Sequence, residues 1–179
     1  MNTYFVLFSM LASAPLLAQG ARIQINLDHL KAKADEVVNV NLDGAMLAQG
    51  MKLLTHEGSG LEGLQGVYVR SYSFDKPGAY TEADVDAIRK QITGPNWVPF
   101  VEVEKKDGES VRVAAYMEHG KQAGLVVLAA EPKELTVVNI VGPIDLSKLG
   151  QLHKLGIPPL VRELRRKEKE KEKTKKEEI

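Results

Sequence analysis

Residues Trp97 to Val141 read WVPFVEVEKKDGESVRVAAYMEHGKQAGLVVLAAEPKELTVVNIV, and this stretch decides the fold. Its period is two. Val101 and Val103 alternate with Glu102 and Glu104, while Val111, Val113, Ala115 and Met117 fall on one face of a returning strand. Lys106-Asp107-Gly108-Glu109 centres on Asp-Gly, which predicts a two-residue hairpin turn with positive φ values. His119-Gly120 and Glu131-Pro132-Lys133-Glu134 mark two further turns. Gly124 to Ala130 (GLVVLAA) is apolar at both parities, so that strand is central and covered on two sides. Four strands in an antiparallel meander follow, and Trp97 is expected to plug the end of their core.

Upstream the pattern changes to strands separated by helices. Asn26 or Asp28 can cap a short helix through Ala34, with Leu27, Leu30 and Ala34 on one side. Val37 to Leu42 alternates and is β-branched, hence a strand. Asp43 then opens a second helix to about Leu54, burying Leu47, Met51 and Leu54. Gly66 to Phe74 (GVYVRSYSF) is a strand by its Val, Tyr and Phe content. After a turn at Pro77-Gly78, Thr81-x-x-Asp84 forms a capping box and starts a helix whose Val85, Ile88 and Ile92 make the buried stripe. A further short helix is expected near Asp145 to His153. Strands joined through helices can pair in parallel, so the expected class is α+β. It comprises a mixed sheet, helix-connected strands followed by the meander, and helices mainly on one face.

The ends are different material. Tyr4 to Leu17 (YFVLFSMLASAPLL) is a 14-residue run without charge. It is too short to cross a membrane comfortably and suits a secretory signal, with cleavage after Gly20 or Ala18. Met1-Asn2-Thr3 lacks the usual basic residue. From Arg162 onward nine basic and six acidic residues occur, against fifteen and eighteen before it. Lys167 to Lys173 alternates strictly in sign, and Arg165 to Glu178 contains no apolar residue. A frayed solvated helix or disorder is expected there, not a coiled coil. The domain plan is therefore a signal peptide at 1–20, one α+β domain at 21–159 and a Lys/Glu-rich tail at 160–179. Because no Cys occurs, disulfides, Cys-type zinc sites and thiol catalysis are excluded. A near-neutral body carries no nucleic-acid footprint, and no later apolar run could span a membrane.

Glu131 to Pro158 (EPKELTVVNIVGPIDLSKLGQLHKLGIP), with Ile25 to Leu47, Gly66 to Arg89 and Trp97 to Glu109, resembles a bacterial family catalogued as domain of unknown function 4252. The resemblance covers about Ile25 to Pro159 and implies an exported α+β domain with no established activity. It carries over no functional residue, and the charged tail lies outside it.

Candidate residues each have a structural explanation beside them. Gly58-Ser59-Gly60-Leu61-Glu62-Gly63 matches the dinucleotide pattern but follows a helix and precedes a strand, the wrong context for a pyrophosphate. His29, His56, His119 and His153 show no metal-ligand spacing and are expected at the surface, His56 beside Glu57. Arg70, Tyr72, Asp75 and Tyr80 surround the second strand and its exit. They are expected to form a cross-strand Arg–carboxylate pair with tyrosines at the sheet margin. Asn139 interrupts VVNIV and reads as a satisfied buried amide.

No catalytic, cofactor-binding or metal residue is assigned, and no cofactor is expected. The sequence points to a non-catalytic binding or scaffolding domain of the cell envelope, periplasmic or extracellular, with an unidentified protein or envelope partner. The alternative is an envelope enzyme whose acid/base or metal site assembles only in space. The mature chain is expected to begin between Gln19 and Ala21. The intact mass of exported protein checks this, and a mass retaining Met1 would refute export by this signal.

Overall fold

A computed structural model of the protein describes residues 20–44, 46–49 and 63–144. The expected signal peptide apart from Gly20, the Gly58 to Gly63 motif apart from its last glycine, the helix near Asp145 to His153 and the charged tail lie outside them. Six strands form one sheet: β1 (Glu36–Asp43), β2 (Gly66–Ser73), β3 (Trp97–Glu104), β4 (Ser110–Glu118), β5 (Lys121–Glu131) and β6 (Glu134–Val141). The spatial order is β1-β2-β6-β5-β4-β3, and every neighbouring pair is antiparallel.

The meander stands as expected, but the sheet is not mixed. Between β2 and β3 lies the helix α1 (Glu82–Arg89), continued by a 3₁₀ turn over Lys90–Ile92. Alternation of direction through β6, β5 and β4 makes β2 and β3 point the same way. The helical crossover therefore links like-directed strands, as such connections do. The two strands are not neighbours, because β6 returns to fill the place beside β2.

Burial explains the order. Along β5 seven consecutive residues, Gly124 to Ala130, are buried, and along β6 six, Leu135 to Ile140. Strands apolar at both parities need partners on both edges and cover on both faces. β1 and β3, which alternate with polar residues, occupy the sheet margins. β3 begins three residues before the expected Phe100 and contains Pro99. A bulge sits between Pro99 and Val101. An edge tolerates both the missing donor and the irregular ladder.

The first face carries Tyr72, Ala114, Tyr116, Val126, Leu128, Leu135 and Val137. Val85, Ile88 and Ile92 of the helix pack on it, together with Ala21, Ile23, Leu27 and Leu30 from the N-terminal segment. The second face is built from Val67, Val69, Val113, Leu125, Val127, Val138 and Ile140, with Leu47 and Ile144 against it. Leu47 belongs to the helical residues 46–49. Among the described residues the helix and both 3₁₀ turns thus lie on the first face, as the sequence led us to expect, and only residues 46–49 place helical structure against the second. Met51 and Leu54 lie outside the described residues.

Two local expectations change. The N-terminal helix shrinks to a 3₁₀ turn at Asp28–Leu30, and its cap residue is Leu27, without a side-chain cap bond. Leu27 and Leu30 are buried as the periodicity requires, at 1% and 0% exposure. Fewer than two turns cannot offset helix nucleation, and bonds from elsewhere in the fold hold the preceding residues extended. The second change is at Asp107-Gly108. Only Gly108 has positive φ, +87°. Lys105 N–H donates to Glu109 O at 2.8 Å and Gly108 N–H to Lys105 O at 3.1 Å. The loop is thus the three residues Lys106, Asp107 and Gly108. Two consecutive positive φ values occur instead at His119 (+50°) and Gly120 (+74°), between the paired Glu118 and Lys121.

At Gly108 the backbone, not space, restricts the residue, since nothing lies within 4 Å of a Cβ there. Gly108→Val is expected to cost about 1 kcal/mol or more, read as a lower urea midpoint with unchanged slope. A variant melting with the parent would refute the left-handed position.

Candidate functional site

Three regions gather polar side chains, and each grows from a local sequence feature. The first is the extended segment 20–27, which crosses the first face as a strap. Asn139, fully buried on β6, accepts from Ile23 N–H at 3.0 Å and donates to Ala21 O at 2.7 Å. Gln91 repeats the arrangement one residue later, accepting from Gln24 N–H and donating to Gln24 O, both at 2.8 Å. Gly124 leaves room for the strap, since a side chain there would collide with Ala21. Asn139 is the satisfied amide the sequence suggested; Gln91 carried no sequence signal.

The strap leads into the 3₁₀ turn that carries His29, whose Nε2 lies 2.8 Å from Asp84 Oδ1 at the start of α1. Asp84 also accepts from the Thr81 N–H and hydroxyl at 2.7 and 2.8 Å, the capping box read from sequence. Burial pushes its carboxyl up, but the bonds from Thr81 and His29 outweigh this and hold it below the usual carboxylate range. His29 is an exposed histidine, as expected, yet it has a specific partner that spacing alone could not reveal. His119 is exposed in its turn. His56 and His153 lie outside the described residues.

The second region is the set Arg70, Tyr72, Asp75 and Tyr80, which the fold does not bring together as one site. Among the described residues Arg70 has no carboxylate partner, contrary to expectation. Its Nη1 donates to Val69 O at 2.8 Å and Val40 O at 3.2 Å, and its Nη2 to Asn41 Oδ1 at 3.0 Å. Tyr72 is fully buried, and its hydroxyl has no hydrogen-bond partner among the described residues. Burial raises its pKa, the negative charge of Asp28 adds to this and Arg70 opposes it. Tyr80 donates to Glu131 O at 2.6 Å. Burial, then Glu131 and Glu82, push its phenol up to about 12. Asp75 is exposed, and its N–H donates to the Asp35 carboxylate. These are fastenings of the β2 exit.

The third region lies at the β3–β4 end of the sheet. Trp97 does close the core there, 8% exposed and edge-on to Tyr116 with centroids 5.2 Å apart. Beyond it Val98 and Phe100 stand 49% and 53% exposed on the edge strand. Towards the first face a cavity of about 180 Å³ opens between the strands and α1, with Leu128 among its lining residues. Arg112 pairs with Glu102, its cross-strand partner. Arg89 Nη1 reaches Glu82 at 2.7 Å and Asp86 at 2.6 Å. The bond from Glu82 is the main reason Arg89 holds its proton more tightly than usual. No sequence signal marked this cluster, because a two-residue Asp107-Gly108 turn would place Arg112 opposite Val103 and not opposite Glu102, where it stands.

No group of three His, Asp or Glu side chains able to hold a metal occurs among the described residues, and no described helix is long and apolar enough to cross a membrane. An antiparallel α+β domain with a strapped face and an apolar edge is the class these features define. The chain belongs to the family described as Domain of unknown function (DUF4252), whose model matches residues 30–152. No curated protein matches it in sequence.

Asp84 gives a pH prediction. Its pKa is lower folded than unfolded, so its contribution is present above the ordinary value near 3.8 and is lost as pH falls through the folded value. Asp84→Ala is expected to cost about 1 kcal/mol at neutral pH. The gap to wild type should close below pH 3.8, as followed by urea unfolding across pH. A pH-independent gap would refute the assignment.

Proposed function

We propose that the protein is a non-catalytic binding or scaffolding domain of the bacterial cell envelope, exported by its N-terminal apolar run. Its docking surface is the β3 margin. The observation that carries this is the pair Val98 and Phe100, about half exposed on a sheet edge. Aromatic side chains are enriched at interfaces and supply much of their energy. The described groups with shifted pKa support the same reading. Tyr72, Tyr80 and Asp84 owe their shifts to burial or to partners that fasten the fold, and Arg89 to ion pairs on the surface of α1, so the four do not share one cleft of the kind catalysis uses.

Pro99 and the bulge beside it interrupt the outer edge, which disfavours addition of a partner strand. Contact through side chains fits this edge better. Phe100→Asp and Val98→Asp should leave the melting temperature nearly unchanged, because exposed substitutions usually stay within about 0.5 kcal/mol. Each should weaken capture of the partner from envelope extracts by a factor of about ten or more. Retention of the same partner by both variants would overturn the assignment of the surface.

A further inference from the structure

The cavity at the β3–β4 end has the chemistry of a small-ligand site, independently of what docks at Phe100. Its lining includes Arg89, Glu102, Glu104, Ser110, Arg112 and Leu128, and its volume is about 180 Å³. An apolar void of about 150 Å³ accepts benzene, so this space admits a molecule of amino-acid size. Both guanidinium side chains are partly buried, at 29% and 22% exposure. Arg89 uses only Nη1 for its two carboxylates, and Arg112 uses only Nη2 for Glu102. Among the described residues, the remaining guanidinium N–H groups and the Ser110 hydroxyl make no hydrogen bond.

We propose that this cavity binds a small zwitterion of the amino-acid class. Its carboxylate is held by Arg89, Arg112 and Ser110, and its ammonium by Glu104. A guanidinium presents five N–H donors in a fork matched to a carboxylate. The existing partners yield readily, because Glu82 and Glu102 are 72% and 54% exposed, and ion pairs open to solvent contribute little. Glu104 selects against a bare anion. Its carboxylate shares the lining with the arginines, so a second negative charge without an amine meets repulsion.

The test is a ¹H–¹⁵N titration of the full mature chain, following arginine Nε–Hε signals, with L-alanine, acetate and inorganic phosphate as separate probes. Saturable shifts of two arginine signals are expected with L-alanine in the range of about 1 mM. Acetate and phosphate should bind at least about tenfold more weakly. Arg112→Gln and Arg89→Gln should each weaken alanine binding about tenfold with melting temperatures near wild type, and Glu104→Gln should remove the preference for alanine over acetate. Absence of saturable shifts, or shifts unaltered in both arginine variants, would overturn the site. Phosphate binding as tightly as alanine, with Glu104→Gln silent, would overturn the zwitterion.

Discussion

One buried amide constrains much of this molecule. Asn139 has no exposed surface, and its strand neighbours are Val137, Val138, Ile140 and Val141. A buried amide without partners costs several times the net worth of a hydrogen bond, so this position demands a donor and an acceptor. The adjacent strand β5 offers only a long contact, from Asn139 Nδ2 to Leu125 O at 3.5 Å. The backbone of Ala21 and Ile23 supplies both. Satisfying Asn139 therefore fixes where the strap crosses, and the rest follows in order. Gln24 meets Gln91, Leu27 and Leu30 cover the first face, and His29 arrives at Asp84.

The same bonds couple the strap to α1 from two ends. Gln91 follows α1, in the 3₁₀ turn, and Asp84 lies in its first turn, so the strap is tied to both ends of one helical unit. That unit is also tied internally, through Thr81 and Asp84 at its start and through Arg89 with Glu82 and Asp86 along its surface. Exposed pairs of the latter kind contribute little individually. The capping box and the apolar stripe of Val85, Ile88 and Ile92 hold the helix, which leaves Arg89 able to change partners without loss of the fold.

Much of this was legible in the residues, because period and burial are local properties. The meander, the central strand of Gly124 to Ala130 and the capping box all follow from patterns within a dozen positions. What could not be read depended on distant partners. Gln91 and His29 look like any surface residues until the strap and helix are placed 67 and 55 positions apart in sequence. The antiparallel placement of β2 was hidden for the same reason: β6, its neighbour, lies more than sixty residues downstream. The Asp107-Gly108 hairpin is a subtler case. A two-residue loop pairs Lys106 with Glu109 and puts Arg112 opposite Val103, whereas the observed three-residue loop puts Arg112 opposite Glu102. One residue of register thus decided whether a charged cluster could be foreseen.

The two margins of the sheet then differ for a physical reason. β1 ends the sheet with an uninterrupted register against β2, and its Asn39 and Asn41 side chains bond one another. Polar groups there are engaged locally, and Arg70 spans from β2 to Val40 and Asn41. β3 is built oppositely. Proline and a bulge prevent an orderly outer ladder, and the same strand exposes two large apolar side chains, Val98 and Phe100. An edge designed only to resist aggregation would place charges at those positions. Keeping an aromatic there while spoiling the ladder disfavours strand addition and leaves side-chain contact open, which is the selectivity the docking surface proposed above requires.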